Sequence, residues 1–142
     1  MSTSTVRPVV SRRQDLIGRG LMAFNSVITF AVFVNGFFLM AAASDDRLMV
    51  EGWRTFGYFV FSAMWALLAL RPRQVPGIWE LVIFHKTAAA ILAITIFDTV
   101  EGFQSTFSDS WVALSTIAAY ALCRGWLSWR GFRRTNDPVT AA

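Results

Sequence analysis

LMAFNSVITFAVFVNGFFLMAAA, residues 21–43, is an uninterrupted run without a charged side chain. Its 23 residues rise about 35 Å as an α-helix, and the hydrocarbon core of a bilayer is roughly 30 Å thick. The run therefore predicts a helix that crosses a membrane with some tilt.

A cleaved signal peptide is the competing interpretation of this run. Ala41, Ala42 and Ala43 before Ser44 resemble the small residues of a signal-peptidase site behind a basic N-terminal region. The apolar core of a secretory signal has only about 7 to 15 residues, which is much shorter than this run. We therefore favour a retained membrane span.

Three further apolar segments follow, and Pro72 and Pro76 bracket the turn between the second and the third. Backbone groups in lipid must be satisfied within helices or a closed barrel, so these segments predict helices and not open strands. We predict an all-α, integral membrane four-helix bundle that forms a single domain over residues 1–142, with a mobile lead-in at 1–15 and a mobile tail at 131–142. The predicted spans are about 19–43, 54–71, 77–98 and 110–130.

The composition agrees with a membrane protein. Of the 142 residues, 55% are hydrophobic and 15% are charged, and the mean hydropathy is +0.49. The net charge of +4 would suit nucleic acid, but the arginines flank apolar segments and do not form a stripe on a polar face. We therefore expect no nucleic-acid partner, and the lone Cys123 excludes an intramolecular disulfide.

Basic residues next to the predicted spans set the orientation, because short cytoplasmic loops are rich in lysine and arginine. Only Arg47 and Arg54 fall on one side. The other side carries Arg7, Arg12, Arg13, Arg19, Arg71, Arg73, Arg124, Arg130, Arg133 and Arg134. Both termini are thus predicted in the cytoplasm, and the chain in the bacterial inner membrane. Tryptophans favour the two interfaces, with Trp53 and Trp111 outside and Trp79, Trp126 and Trp129 inside.

Charged residues inside a span need a reason, because each costs about 2.5 to 3.5 kcal/mol near the bilayer centre on insertion scales. Lys86 lies about 15 Å from Pro76 along a helix, close to the midplane, while Glu80 and Arg124 lie nearer the cytoplasmic surface. We hypothesise an ionic cluster of Glu80, Lys86 and Arg124 with His85 beside it. The alternatives are that Lys86 snorkels to the interface, or that an ion pair only fixes helix register.

His85 is the only histidine in the chain, so a multi-histidine metal site or haem ligation by two histidines is excluded within one chain. A single-ligand haem and a proton relay stay open at His85, and the sequence identifies no cofactor. Asp98 and Glu101 near the outer end are candidates for holding a cation or gating a ligand, against the alternative of solvated loop charges.

Polar and small residues within the spans predict how the helices associate, because close packing and interhelical hydrogen bonds hold helices together in lipid. Asn25 lies four residues before Thr29 on one face of the first span, and Asn35 lies nearer its outer end. Asn25 and Asn35 are therefore further candidate site residues. A homodimer through an unused small-residue face is an open alternative.

A resemblance to a known family appears at residues 51–72. Glu51, Trp53, Thr55, Phe56 and Gly57 precede an apolar span that ends in Leu67, Leu68, Ala69, Arg71 and Pro72. This run resembles the small bacterial BphX-like proteins of the wider DoxX-like group, and the similarity is best over the second and third spans. The resemblance implies a four-helix membrane protein. Related DoxX-like members are associated with membrane redox complexes, and similar folds occur among sterol isomerases.

Three functions are consistent with these features. The first is a non-catalytic accessory subunit of a larger membrane complex, or a binder of a lipophilic molecule such as a quinone, lipid or aromatic compound, in a cavity lined by Phe, Trp and Met with Lys86 or His85 as its anchor. The second is a membrane enzyme that uses His85 and Glu80 as acid and base on a lipophilic substrate. A small transporter ranks third because no inverted repeat is visible.

Overall fold

The computed structural model describes residues 10–130, and this part of the chain folds into four long α-helices. They are α1 (Arg12–Ala41), α2 (Asp45–Leu70), α3 (Ile78–Thr95) and α4 (Val100–Cys123), followed by a short 3-10 turn at Gly125–Leu127. No strand occurs between residues 10 and 130, so the predicted all-α class is confirmed. The predicted tail at 131–142 and residues 1–9 of the predicted lead-in lie outside the described residues.

Local chemistry explains where the helices end. Proline disfavours helix in the residue before it, and α2 ends one residue ahead of Arg71 and Pro72. Gly77 precedes α3 with a left-handed φ of 86°, which glycine adopts at little cost. The Thr99 hydroxyl accepts a hydrogen bond from the Gly102 amide at 2.9 Å and caps α4, as threonine does at helix starts. Arg124, with φ of 51°, ends α4 in the left-handed region.

The helix boundaries differ from the apolar segments at several points. Residues 12–15 belong to α1, so this part of the predicted mobile lead-in is helical. α2 starts at Asp45 and not near 54, because Ser44 and two aspartates supply a favourable first turn. α4 starts at Val100 and not near 110, and it ends at Cys123 and not near 130.

The four helices pack in a defined order. α1 packs along α2 and also against α4, and α3 packs along α4. Small residues allow two close approaches: a Cβ at Gly36 would lie 2.5 Å from Thr55 Oγ1, and a Cβ at Gly18 would lie 2.5 Å from Cys123 Sγ. The core consists of side chains from all four helices. It comprises Met22, Trp65, Leu68, Ala69, Trp79, Val82, Ala119 and Cys123.

Trp79 corrects one expectation from the sequence. It is fully buried, and its indole Nε1 donates to the Pro72 carbonyl oxygen at 2.8 Å. Trp79 is therefore a core residue and does not sit at a lipid-facing interface as predicted. Trp53 and Trp111 are exposed, and so are Trp126 and Trp129.

The helix assembly has two distinct ends. At the terminal end, which we define by Asp15, Arg73 and Cys123, the Arg73 guanidinium donates to the Asp15 carboxylate and, at 3.1 Å, to the Cys123 carbonyl oxygen. The distal end is the opposite end, formed by residues 42–54 and 96–103, where the α1–α2 and α3–α4 turns lie. A set of arginine–glutamate ion pairs connects the two turns there.

Three of the helices, α1, α2 and α3, are long and apolar enough to cross a membrane. Large apolar side chains stay exposed along them, including Phe38, Phe84 and Leu70. Such extensive exposure of apolar surface is unusual on a soluble monomer and suits lipid contact. The chain is therefore a membrane protein by length and composition of its helices.

Candidate functional site

A charged pair lies inside the helix assembly, halfway along α3. Lys86 Nζ lies 3.3 Å from Asp109 Oδ1 on α4, and the two side chains are only 10% and 22% exposed. The ammonium also faces the Phe61 ring, with its centroid at 4.3 Å, and the Trp65 ring, with its centroid at 5.8 Å. We call these four residues the Lys86 site; it connects α3 with both α4 and α2.

The chemistry of the Lys86 site is that of a neutralised internal charge. A lysine ammonium is attracted to aromatic faces and to carboxylates, and here Phe61, Trp65 and Asp109 supply both. Because burial of a charge is tolerable only when it is paired, each partner makes the other acceptable. The pair therefore links α3 to α4, and each charged group has the other as its partner.

The expected cluster of Glu80, Lys86 and Arg124 does not form among the described residues. Lys86 pairs with Asp109 instead, a residue just outside the predicted span at 110–130. Positions six apart on an α-helix, such as Glu80 and Lys86, point about 120° away from each other around its axis. Arg124 lies at the left-handed end of α4, and it enters no ion pair within residues 10–130.

Glu80 has partners of its own near the terminal end. Its Oε1 accepts hydrogen bonds from the Tyr120 hydroxyl at 3.1 Å and from Trp129 Nε1 at 2.9 Å. This carboxylate ties α3 to α4 and to the turn that follows α4. Its other oxygen, Oε2, is buried without a hydrogen-bond partner among the described residues.

His85 lies beside the Lys86 site but on its outer side. The residue is exposed, and its ring packs against Phe61 with 4.6 Å between the ring centroids. No hydrogen bond joins His85 to Glu80 within the described part of the chain, so the structure does not bring these two together as an acid–base pair. Residues 10–130 contain no group of three His, Cys, Asp or Glu side chains that could hold a metal ion.

The two candidate asparagines on α1 have different surroundings. Asn25 is 1% exposed; its Nδ2 donates to Ser115 Oγ at 2.8 Å, and its Oδ1 accepts from Trp111 Nε1 at 3.2 Å. It is thus a polar link between α1 and α4. Asn35 is exposed on the same helix, and its side chain makes no hydrogen bond with the described residues.

The two outer-face candidates, Asp98 and Glu101, also differ in their surroundings. Glu101 Oε1 lies 3.3 Å from Arg47 Nη2 and 3.5 Å from Arg54 Nη2. Both arginines also contact the buried Glu51, at 3.2 and 3.7 Å. We call these four residues the distal ion network. Asp98 is exposed in the short α3–α4 turn and has no ion-pair partner among residues 10–130.

An open groove lies where α1 meets α2 at the distal end. Its volume is about 470 Å³, within the range of roughly 300 to 1,000 Å³ typical of small-molecule sites. Gly52 lines its floor, and a Cβ there would approach Met40 Cε at 3.6 Å and Phe56 Cε2 at 4.0 Å. We call it the distal groove. It is lined by Met40, Asp45, Leu48, Met49, Gly52, Trp53 and Phe56.

Sequence reasoning did not identify the distal groove. A cavity lined by Phe, Trp and Met was expected around Lys86 or His85, whereas this groove has Asp45 as its charged residue. Two local features of the sequence pointed to it: only three residues separate α1 from α2, and Gly52 lies about two turns into α2.

Comparisons of the chain with protein-family models, with curated proteins and with solved structures find no match. The resemblance of residues 51–72 to DoxX-like proteins therefore stays a prediction.

Proposed function

We propose that this chain is a small multi-pass membrane protein that binds a lipophilic molecule of quinone, lipid or aromatic type in the distal groove. The supporting observation is the groove itself, with the aromatic and thioether walls of Trp53, Phe56, Met40 and Met49 and a single carboxylate. Apolar walls with few polar groups are typical of small-molecule sites.

All four helices cross the bilayer in this proposal. α4 has 24 residues, which is about 36 Å of helix, and it packs between α1 and α3. In its second half Ser115 and Thr116 are buried, and the Thr116 hydroxyl donates to the Val112 carbonyl oxygen of its own helix at 2.6 Å. Such bonding lowers the cost of a polar residue in lipid.

An even number of spans puts both termini on one side, and the arginine distribution favours the cytoplasm of a bacterium with the chain in its inner membrane. A fluorescent-protein fusion at residue 142 and an alkaline-phosphatase fusion after residue 98 test this topology. We expect fluorescence from the first and phosphatase activity from the second. Phosphatase activity at residue 142 would contradict the proposal.

The proposed protein is non-catalytic. Its interior polar groups pair with one another: Asn25 with Ser115, Trp65 Nε1 with Thr116 Oγ1 at 3.0 Å, and Lys86 with Asp109. The second candidate, an enzyme acting through His85 and Glu80, needs these two side chains at one site. They instead face different partners, Phe61 for the histidine and Tyr120 for the glutamate.

Ligand recovery tests the binding function. The full chain is purified in a mild detergent, and small molecules that accompany it are identified by mass spectrometry. Gly52→Leu fills the floor of the groove, and Gly57→Leu is the matched control because a Cβ at Gly57 meets nothing within 4 Å. We expect Gly52→Leu, and not Gly57→Leu, to lose the ligand. Equal recovery from both variants would contradict a site in this groove.

An accessory subunit is the alternative function, and it is also supported by the polar groups that pair with one another inside the helix assembly. Hydrogen bonds between helices, such as the one from Ser26 Oγ to the Ser62 carbonyl oxygen at 2.9 Å, engage several internal polar groups, and large apolar side chains stay exposed on the outside. Native gel electrophoresis of gently solubilised membranes distinguishes the outcomes. A large stable complex supports the accessory role, a band at twice the protomer mass supports a homodimer, and a single protomer band opposes both.

A further inference from the structure

The charged residue in the distal groove indicates a more specific ligand class than lipophilic molecules in general. Asp45 is the one charged residue that lines the groove, and its carboxylate forms no ion pair with any residue between 10 and 130. A ligand in the groove therefore meets a negative charge beside apolar walls.

The nearby arginines do not neutralise Asp45. Arg47 and Arg54 are both engaged with Glu51 and Glu101 in the distal ion network. Acidic side chains also outnumber these two arginines at the distal end. The acidic residues there are Asp45, Asp46, Glu51, Asp98 and Glu101. The electrostatic field at the groove mouth is thus negative, and it attracts cations.

The start of α2 offsets this charge only in part. A helix N-terminus carries roughly half a positive charge, while Asp45 and Asp46 both lie in the first turn of α2. Net negative charge remains after that compensation, so the groove mouth favours a positive group over a neutral or negative one.

The groove walls suit a cation with an apolar body. Trp53 is 79% exposed and Phe56 is 56% exposed, so the faces of both rings are accessible to a ligand. Aromatic faces attract organic cations, and the thioethers of Met40 and Met49 adapt to ligands of irregular shape. An anionic ligand would instead face repulsion from Asp45.

We propose that the distal groove binds a free amphiphilic organic cation, with Asp45 as its counter-ion and Trp53 and Phe56 as its aromatic contacts. This inference rests on the proposed lipophilic-ligand function and names its ligand class. Tetraphenylphosphonium is a suitable probe. Tetraphenylborate has nearly the same shape and the opposite charge, so comparing the two isolates the effect of charge on binding.

The test is equilibrium dialysis of these two probes, and of neutral triphenylphosphine oxide, against the full chain in detergent micelles. We expect the cation to bind most tightly. Asp45→Asn should weaken its binding about fivefold, which corresponds to the loss of one exposed charge–charge contact. Asp46→Asn is the matched control, since it removes the same charge from the same helix turn without lining the groove, and it should change binding little.

Each outcome decides between the two claims. If the neutral oxide binds as tightly as the cation and Asp45→Asn has no effect, the cation assignment is overturned and the lipophilic-ligand function stands. If no probe binds above the empty-micelle background, or if Gly52→Leu binds all of them unchanged, the function in this groove fails as well. The bound cation is then competed with phosphatidylcholine and with dodecyltrimethylammonium. If phosphatidylcholine displaces it as effectively as dodecyltrimethylammonium does, the groove binds a lipid headgroup, and the proposal of a free organic cation is wrong.

Discussion

The Lys86 site and the distal ion network contain the same kind of contact in opposite surroundings. Lys86 and Asp109 lie 3.3 Å apart with side chains that are 10% and 22% exposed. Arg47 and Glu101 also lie 3.3 Å apart, but their side chains are 55% and 59% exposed. Geometry alone would therefore rank the two pairs as equal.

Burial separates their contributions to stability. Exposed ion pairs gain little, because water and salt screen the charges and ordering the side chains costs entropy. A buried pair contributes little net stability relative to apolar residues, but removal of one partner leaves an unpaired charge inside the protein. The stability of the fold therefore depends on Lys86 and Asp109 being present together, whereas it depends little on the contact between Arg47 and Glu101.

The largest effect is expected from Lys86→Met. This change leaves the Asp109 carboxylate, which is only 22% exposed, without its counter-ion, and we expect a loss of about 3 kcal/mol in the free energy of unfolding. The measurement is unfolding in mixed micelles, followed by circular dichroism. The double variant Lys86→Met with Asp109→Leu should recover most of the loss, because it removes both charges. A loss in the double variant equal to the sum of the Lys86→Met and Asp109→Leu losses would show that the pair is not coupled.

A smaller effect is expected from Asn25→Leu, which tests a buried neutral contact against the buried ionic one. The change removes the hydrogen bonds to Ser115 and Trp111, and interhelical hydrogen bonds in membrane proteins contribute roughly 0.6 to 2 kcal/mol each. We expect a loss of about 1 to 2 kcal/mol in the same unfolding assay. Asn35→Leu on the same helix is the control, and a comparable loss there would refute a specific role for Asn25.

The helical class and three of the apolar helices could be predicted from the sequence, because both depend on local composition. Residues 21–43 could hardly be anything other than a long apolar helix, and α1 contains nearly all of them. The extent of the helices was less accessible. The predicted lead-in ended at Asp15, yet the Asp15 carboxylate pairs with Arg73 and belongs to α1. Arg19, at the start of the predicted first span, donates through Nε to the Ala69 carbonyl oxygen at 2.6 Å.

The ionic partner of Lys86 could not be predicted for a related reason. The rise along the helices placed Glu80 and Arg124 in one cluster with Lys86. Asp109 fell just outside the predicted span at 110–130 and was not predicted as the partner of Lys86. Thr99 caps a helix that starts ten residues earlier than expected. That extension carries Asp109 into the helix face opposite Lys86, and which faces meet is a property of tertiary packing that one sequence does not encode locally.

The smallest effect on stability is expected from Glu101→Gln, which removes one carboxylate charge from the distal ion network. Because Arg47 and Arg54 retain Glu51 as a partner, and because exposed pairs are weak, we expect the unfolding temperature to change by about 1 °C or less. Raising NaCl from about 0.02 M to about 0.5 M should reduce even that difference, whereas the effect of Lys86→Met should persist. A Glu101→Gln loss as large and as salt-independent as that of Lys86→Met would show that burial is not what distinguishes the two sites.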